Sequence, residues 1–309
     1  MKKNVIAIMG PTAVGKTKLS IELAKRFNGE IISGDSMQVY KGLDIGTAKV
    51  KRSEMLGIAH HMLDIREPEE EFSVADFKEN VQKYINDITS RDKLPIIVGG
   101  SGLYIQAALY NYNFSEIKRD DAITKKMEKT IVSEGIMPLY NRLVEIDPVQ
   151  AEKIHPNNHR RVIRALEIYE STGMTMTAYQ ESQTMESPYE PILLGLDMER
   201  ELLYRRINER VDLMVNEGLL DEVRGLYEKG YENCQSMKAI GYKEFIPYFK
   251  EEQSLEETID LLKRNSRRYA KRQLTWFRNK MDITWYNMSP ALIDEKFAII
   301  LDELAGILK

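Results

Sequence analysis

The chain has a single cysteine, Cys234, among its 309 residues. One thiol excludes an intrachain disulfide and any multi-cysteine zinc site. With no histidine near it in sequence, Cys234 reads as a small buried or half-buried thiol rather than a nucleophile. Long apolar runs are missing as well: no stretch approaches the roughly 20 residues that span a bilayer. Lys2-Lys3 leads straight into a short apolar segment without the pattern of a signal peptide. The expectation is a cytoplasmic protein that makes no use of a membrane. Internal repeats and low-complexity tracts are lacking, which excludes solenoid and linker architectures. Acid is absent from one place in particular, residues 261–281, although the chain as a whole carries a net charge of −4. The overall charge speaks against a nucleic-acid binder, but a polyanion responds to local charge, so the acid-free segment carries more weight.

What is present suffices for a sizeable core. Apolar residues make up 43% and charged residues 30%, in a length that suits one large domain or a core with one substantial insertion. An apolar run, Val5-Ile6-Ala7-Ile8-Met9, precedes Gly10-Pro11-Thr12-Ala13-Val14-Gly15-Lys16-Thr17, and a helical pattern follows from Lys18. Strand, glycine loop and helix with the spacing G-x-x-x-x-G-K-T form a phosphate-binding loop. Backbone N–H groups and the positive end of the helix dipole face the anion. Lys16 adds a full charge, and the Thr17 hydroxyl is placed to ligate Mg²⁺.

Further along, Glu30-Ile31-Ile32-Ser33 is a short strand leading into Gly34-Asp35-Ser36-Met37-Gln38-Val39-Tyr40. Ligands of open α/β sheets sit at the carboxyl ends of strands, which puts Asp35 beside the phosphate loop. His60–Ile65 reads as another short strand, whose adjacent histidines point to opposite faces and so do not form a metal site. Ser73 and Asp76 have capping-box spacing for a helix that runs to about Arg91, and Leu94–Val98 is a strand ending in Gly99-Gly100-Ser101-Gly102. Strands ending in glycine-rich loops, with helical crossovers between them, predict an α/β fold: a P-loop NTPase-like, three-layer parallel sheet.

From about residue 114 the periodicity turns helical. We therefore expect a core over 1–113, an all-helical insertion over 114–190, and the core again over 191–309. The insertion contains His159, Arg160, Arg161 and Arg164 at a helix start, where cations oppose the dipole unless an anion compensates them. A solvated basic face is the competing reading. The core resumes with a strand at 191–197, and a helix from Glu199 to about Glu217 carries Arg205, Arg206 and Arg210. Ser254 and Glu257 open a last long helix whose Lys263, Arg264, Arg267, Arg268, Lys271, Arg272, Arg278 and Lys280 predict one continuous cationic face. Ile283–Tyr286 is expected as an edge strand.

These residues leave two enzymatic readings open. A phosphate loop most often serves a kinase or another nucleotide-binding enzyme, but such proteins usually carry a metal-holding Asp after an apolar strand. Here Gly99-Gly100 stand in that place, and Asp35 and Asp64 are the carboxylates left for a metal. The other reading is a transferase in which the loop holds a diphosphate leaving group and the basic surfaces hold a nucleic-acid acceptor. A non-enzymatic P-loop switch or RNA-binding module is a third reading, and it leaves Asp35 without a task.

The motifs quoted above resemble those of the bacterial tRNA dimethylallyltransferases, also called tRNA isopentenyltransferases. The resemblance rests on Gly10–Ala13 with Gly15–Thr17, Asp35–Tyr40, Asp44-Ile45-Gly46-Thr47-Ala48-Lys49, Val98–Tyr104, Ile154-His155-Pro156-Asn157 and Lys271-Arg272-Gln273-Leu274-Thr275-Trp276-Phe277-Arg278. It spans the first strand to the last long helix. It implies transfer of a dimethylallyl group from dimethylallyl diphosphate to N6 of the adenosine 3′ of a tRNA anticodon. Mg²⁺ would be the cofactor, the tRNA anticodon stem-loop the partner, and a monomer the expected form. In such enzymes the insertion and the core together grip the stem-loop, with the target base flipped out. The resemblance makes Asp35 the general base and brings Thr12, Lys16 and Arg210 to the diphosphate. Asp35, Ser36, Met37, Gln38 and Ser101 would meet RNA near the flipped base. His159, Arg160, Arg161, Arg164, Lys271, Arg272 and Arg278 are the candidates for the rest of the tRNA.

Overall fold

The computed structural model describes residues 2–111, 121–182 and 186–308. In chain order its elements are β1 (Lys3–Met9), α1 (Lys16–Arg26), β2 (Gly29–Ser33), β3 (His60–His61), α2 (Val74–Ser90), β4 (Leu94–Gly99) and α3 (Gly102–Leu109). Then follow α4 (Asp121–Glu134), α5 (Met137–Ile146), α6 (Pro148–Lys153), α7 (His159–Thr172) and α8 (Met176–Glu181). The chain continues with β5 (Tyr189–Asp197), α9 (Arg200–Asn216), α10 (Leu219–Glu228), α11 (Ile246–Phe249), α12 (Leu255–Lys280), β6 (Thr284–Asn287) and α13 (Ile293–Ile307).

Residues Met1–Leu109 and Ser187–Lys309 make one compact unit, and Tyr110–Glu186 make a second. The first is built on a six-stranded sheet in the order β3-β2-β4-β1-β5-β6. Every pairing in it is parallel. Its central strands are continuous apolar runs because helices cover both faces. Ile96 of β4 joins the cluster formed with Leu19 and Leu23 of α1, Ile207 of α9 and Phe297 of α13. Its neighbour Ile97 lies on the other face, where Ile105 of α3 reaches the same spot beside Gly34. The period of two along a strand thus assigns one helical layer to each side.

The capping boxes form as the spacing requires. Asp76 N–H donates to Ser73 Oγ at 3.2 Å and Ser73 N–H donates to Asp76 Oδ2 at 2.8 Å; Ser254 and Glu257 do the same at the start of α12. The strand expected over His60–Ile65 shrinks to two residues. Met62 and Asp64 adopt positive φ, 64° and 54°, which turns the chain out of the ladder. Boundary 190 of the expected insertion falls inside β5, and boundary 114 lies outside the described residues.

The second unit is a helical cluster around Met127, Leu139, Leu143, Ile154, Val162 and Leu166. Its polar centre is Asp147, which is 3% exposed. Its carboxylate caps α6 by accepting from Gln150 N–H at 3.1 Å and takes both the N–H and the hydroxyl of Thr177 at 2.9 and 2.6 Å. One side chain thereby joins α6 to the start of α8.

Candidate active site

In the first unit the carboxyl ends of β1, β2 and β4 converge on one edge of the sheet, and each carries a loop the sequence singled out. The phosphate loop follows β1. Gly15, with φ of 99°, ends it and stands at the N-terminus of α1, which has neither a side-chain cap nor an acid in its first turn. The leading N–H groups of that helix are therefore available to an anion. Lys16 turns back over the loop, its Nζ donating to Gly10 O at 2.9 Å and to Pro11 O. Ala13 holds a positive φ of 69°, and Arg206 of α9 donates from Nε to its carbonyl at 2.9 Å. Val14 is buried beneath the loop, whereas the Thr17 side chain faces outward.

Electrostatics gathers these groups into one site. Burial and the charge of Arg210 pull Lys16 down to about 7, against an opposing pull from Asp35. The full cation expected from the sequence is thus half discharged near neutrality by the protein's own groups. Burial also lowers the Arg210 guanidinium, with Arg206 contributing. Clustered cations of this kind are costly together and become favourable when an anion joins them.

Asp35 is the carboxylate of the site. Burial raises it above its ordinary value, while the Met37 and Gln38 N–H groups and the charge of Lys16 act in the other direction. Met37 N–H donates to Asp35 Oδ1 at 2.8 Å, so the loop itself orients the side chain. Gln38 is locked from both ends, accepting from Ser33 Oγ at 2.8 Å and donating to Thr47 O at 3.1 Å. Ser101, after β4, accepts from Ser36 N–H at 3.3 Å. A Cβ at Gly99 would stand 2.3 Å from Gly34 O, so the two loops touch through backbone. That close approach explains why glycine occupies the place where a nucleotide-hydrolysing protein keeps a metal-binding acid.

Sequence reasoning missed several contributors. Tyr104 of α3 and Tyr269 of α12 both feel the charge of Asp35, and burial pushes Tyr269 up to about 12. Gln273, one turn beyond Tyr269, donates from Nε2 to Gly100 O at 3.0 Å. The signal was available in the spacing of Tyr269, Gln273 and Trp276, which share one stripe of the helix that Arg268 and Lys271 lie off.

The expected continuous cationic face of α12 divides in two. Lys263 pairs with Asp212 at 2.6 Å and Arg267 donates to Asn208 at 2.6 Å, both on α9. Arg278 pairs with Asp197 and lies over the Trp285 ring. Arg264, Arg268, Lys271 and Arg272 are exposed and have no acidic partner among the described residues. In the second unit His159, Arg160 and Arg161 are exposed in the first turn of α7, whereas Arg164 pairs with the buried Glu167 at 3.0 Å.

Neither metal alternative raised by the sequence gathers ligands. Asp64 is held by Lys49 at 2.6 Å, and His61 Nε2 bonds Glu30 at 2.7 Å. Among the described residues no group of three or more His, Cys, Asp or Glu could hold a metal ion. No described helix is long and apolar enough to cross a membrane.

Comparison with known proteins shows what the chain as a whole is similar to. Residues 38–280 match the model of the IPP transferase family. The chain is 65% identical over 309 residues to a tRNA dimethylallyltransferase of Oceanobacillus iheyensis, covering 100% of this chain and 99% of that one. Among solved structures it resembles the full-length tRNA isopentenylpyrophosphate transferase of Bacillus halodurans, with 52% identity, a TM-score of 0.76, and coverage of 99% and 96%. It also resembles a eukaryotic dimethylallyltransferase described as acting on tRNA, with 37% identity, a TM-score of 0.80, and coverage of 93% and 74%.

Proposed function

The chain belongs to the IPP transferase family, and on that premise we propose that it transfers a dimethylallyl group from dimethylallyl diphosphate to N6 of the adenosine 3′ of a tRNA anticodon, releasing diphosphate. The observation that carries this reading is the pairing of an orienting loop around Asp35 with a phosphate loop whose Lys16, like Arg210 of α9, is held below its ordinary pKa. An acceptor amine conjugated with a purine is a poor nucleophile and benefits from a base. A leaving diphosphate benefits from cations and N–H donors.

In the proposed step N6 attacks C1 of the donor as the C1–O bond breaks. The electron pair leaves with the diphosphate, and the N6 proton passes to Asp35. Lys16, Arg210, Thr12 and the loop N–H groups receive the diphosphate. Asp35–Gln38 and Ser101 surround the base, whose extrusion from a loop costs about a few kcal/mol. Lys271 and Arg272, with His159, Arg160 and Arg161 of the helical unit, are the proposed phosphate contacts. Arg164 and Arg278 already have carboxylate partners and are left out of that set.

Mg²⁺ suits this donor set. Among the described residues the outward Thr17 hydroxyl has no partner and no cluster of acids competes for the ion. Mg²⁺ characteristically binds through one or two protein oxygens plus substrate phosphates and water. Thr17 would hold it, and when bound it supplies charge neutralisation at the diphosphate. A monomer acting in the cytoplasm completes the proposal, since the acceptor is tRNA.

The kinase alternative loses its footing at Gly99 and at Asp64, which is engaged with Lys49. The test supplies ATP and dimethylallyl diphosphate separately, each with Mg²⁺ and an anticodon stem-loop, and follows the RNA mass. A prenyl adduct from the diphosphate alone is expected. A phosphate adduct, or ATP turnover without prenylation, would overturn the reading.

A further inference from the structure

The segment Asp44–Lys49 takes no part in the chemistry just described, yet side chains from distant parts of the chain hold its backbone. Glu222, half-buried in the first turn of α10, accepts from three successive backbone N–H groups. Its Oε2 takes Asp44 at 3.1 Å and Ile45 at 2.8 Å, and its Oε1 takes Gly46 at 3.1 Å. The Tyr242 hydroxyl donates to the same Oε1 at 2.6 Å. Tyr242 is fully buried, and burial together with the Glu222 charge pushes its hydroxyl far above the ordinary range, so it stays a donor. The ring leaves no room at the other side of the clamp. A Cβ at Gly46 would stand 2.5 Å from it.

The clamped segment is in turn the support of the Asp35 loop. Gln38 Nε2 donates to Thr47 O at 3.1 Å, and Lys49 Nζ donates to Tyr40 O at 2.8 Å. Lys49, whose side chain is only 6% exposed, is itself fixed between Asp44 and Asp64 at 2.6 Å each. Gln38 accepts from Ser33 Oγ, and Ser33 Oγ accepts from Asp35 N–H at 3.4 Å. A chain of hydrogen bonds therefore runs from α10 to the backbone of Asp35: Glu222 to residues 44–46, Thr47 to Gln38, and Gln38 through Ser33 to the Asp35 N–H. No residue along it other than Gln38 and Asp35 lies among those proposed to meet a substrate.

We infer that Glu222 is a positioning residue for the transfer step, holding through residues 44–47 and Gln38 the loop that aims Asp35 at its proton. The inference rests on the function proposed above. Its physical content is geometric. A carboxylate with two oxygens satisfies four donors here, and three of them belong to one turn of backbone, which cannot keep its shape if one oxygen becomes an NH₂ group. Loss of that shape releases Gln38, and a shift of about 1 Å at a reacting group costs on the order of 100-fold in rate.

The experiment compares Glu222→Gln and Gly46→Ala, which attack the clamp from opposite sides, with Tyr242→Phe, which removes a single donor. Single-turnover transfer should fall about 10- to 100-fold in the first two, while the KM for dimethylallyl diphosphate and for the stem-loop changes by less than about threefold. Tyr242→Phe should lose less. On the same proteins, without donor or RNA, amide exchange at Met37 and Gln38 should quicken by about tenfold or more while β1 keeps its protection. Glu222→Gln or Gly46→Ala with a lower melting temperature but unchanged exchange at Met37 and Gln38 would overturn the inference. An unchanged rate per folded molecule would do the same. Failure of the parent protein to prenylate RNA would instead count against the proposed reaction, and the exchange measurement would still decide whether the clamp holds the loop.

Discussion

Glu30 and Asp35 lie five positions apart, on β2 and on the loop that follows it, and both carboxylates are withdrawn from bulk water. Glu30 has a side chain 3% exposed and is surrounded by nitrogen groups: two terminal guanidinium nitrogens of Arg91, Lys93 Nζ at 2.8 Å and the His61 ring Nε2 at 2.7 Å. Those hydrogen bonds, Arg91 first, hold it well below the usual carboxylate range despite its burial. Asp35 forms no ion pair among the described residues. It has the N–H groups of Met37 and Gln38 and the charge of Lys16, which do not offset its burial, so it is raised. Burial alone therefore says little about what a carboxylate does. The number of partners within hydrogen-bond reach separates a permanent structural anion from a group able to take up a proton.

The sharpest way to break this comparison is to remove each carboxyl charge in turn. Asp35→Asn should keep donor and RNA binding and lower transfer by about 10²–10⁴-fold, the usual worth of a general base. A single-turnover rate near that of the parent would remove Asp35 from the mechanism. Glu30→Gln should do the reverse, costing about 2–3 kcal/mol of stability and leaving the rate per folded molecule intact. That figure lies below the 3–5 kcal/mol of a fully buried pair because the cations keep contact with water. Denaturant melts of the two variants side by side would measure it.

The pH dependence separates the two groups further. Because the folded pKa of Glu30 is depressed, its stabilisation is present above its unfolded value near 4.5 and fades as pH falls below it. The stability gap between the parent and Glu30→Gln should therefore close in acid. Asp35 is raised, so the acid limb of the transfer rate should sit above the ordinary aspartate value of 3.8. A rate limb at or below that value would contradict the comparison.

Lys16 extends the contrast to cations. Held at about 7 by burial and Arg210, it should take up a proton when a diphosphate arrives. Donor affinity should then weaken as pH rises above about 7, by up to about tenfold per unit, one proton's worth. The part due to Lys16 should vanish in Lys16→Arg, whose charge does not titrate in this range. Calorimetric titration of the donor across that window reads the effect directly.

The smallest effect concerns exposed cations on one helix. Lys271 has no acidic partner among the described residues, whereas Arg278 is paired with Asp197. Lys271→Ala should weaken stem-loop binding and flatten the log K versus log salt slope by about 0.7, the single-strand value for one phosphate contact. Arg278→Ala should leave that slope unchanged. Equal slopes for the two variants would mean that α12 presents only a solvated face.

The framework of the fold was legible because its signals are local. Apolar runs of strand length, the G-x-x-x-x-G-K-T spacing, and the Ser73/Asp76 and Ser254/Glu257 pairs each report on a few neighbouring residues, and β1, β4, α2 and α12 follow them closely. The phosphate loop, Asp35 and Ser101 were readable for the same reason: each follows a strand at a known offset, and parallel strands bring those ends together. The strand at His60 was overdrawn because positive φ at Met62 and Asp64 leaves no compositional mark.

By itself, then, the amino-acid order determined the parallel sheet, the helical segment that interrupts it, and the loops that carry the candidate chemistry. Each of these is set by hydrophobic period and turn composition within a short window of chain. Only the tertiary structure decided which charges are free to act. Glu222 meets residues 44–46 from far along the chain, Arg206 meets Ala13 across a comparable separation, and Arg267 and Lys263 are drawn to α9 while Arg268 and Lys271 are not. A pKa, a clamp or a cationic surface depends on which groups come within a few ångströms of each other. That is a property of packing between distant segments, and no local pattern in the sequence encodes it.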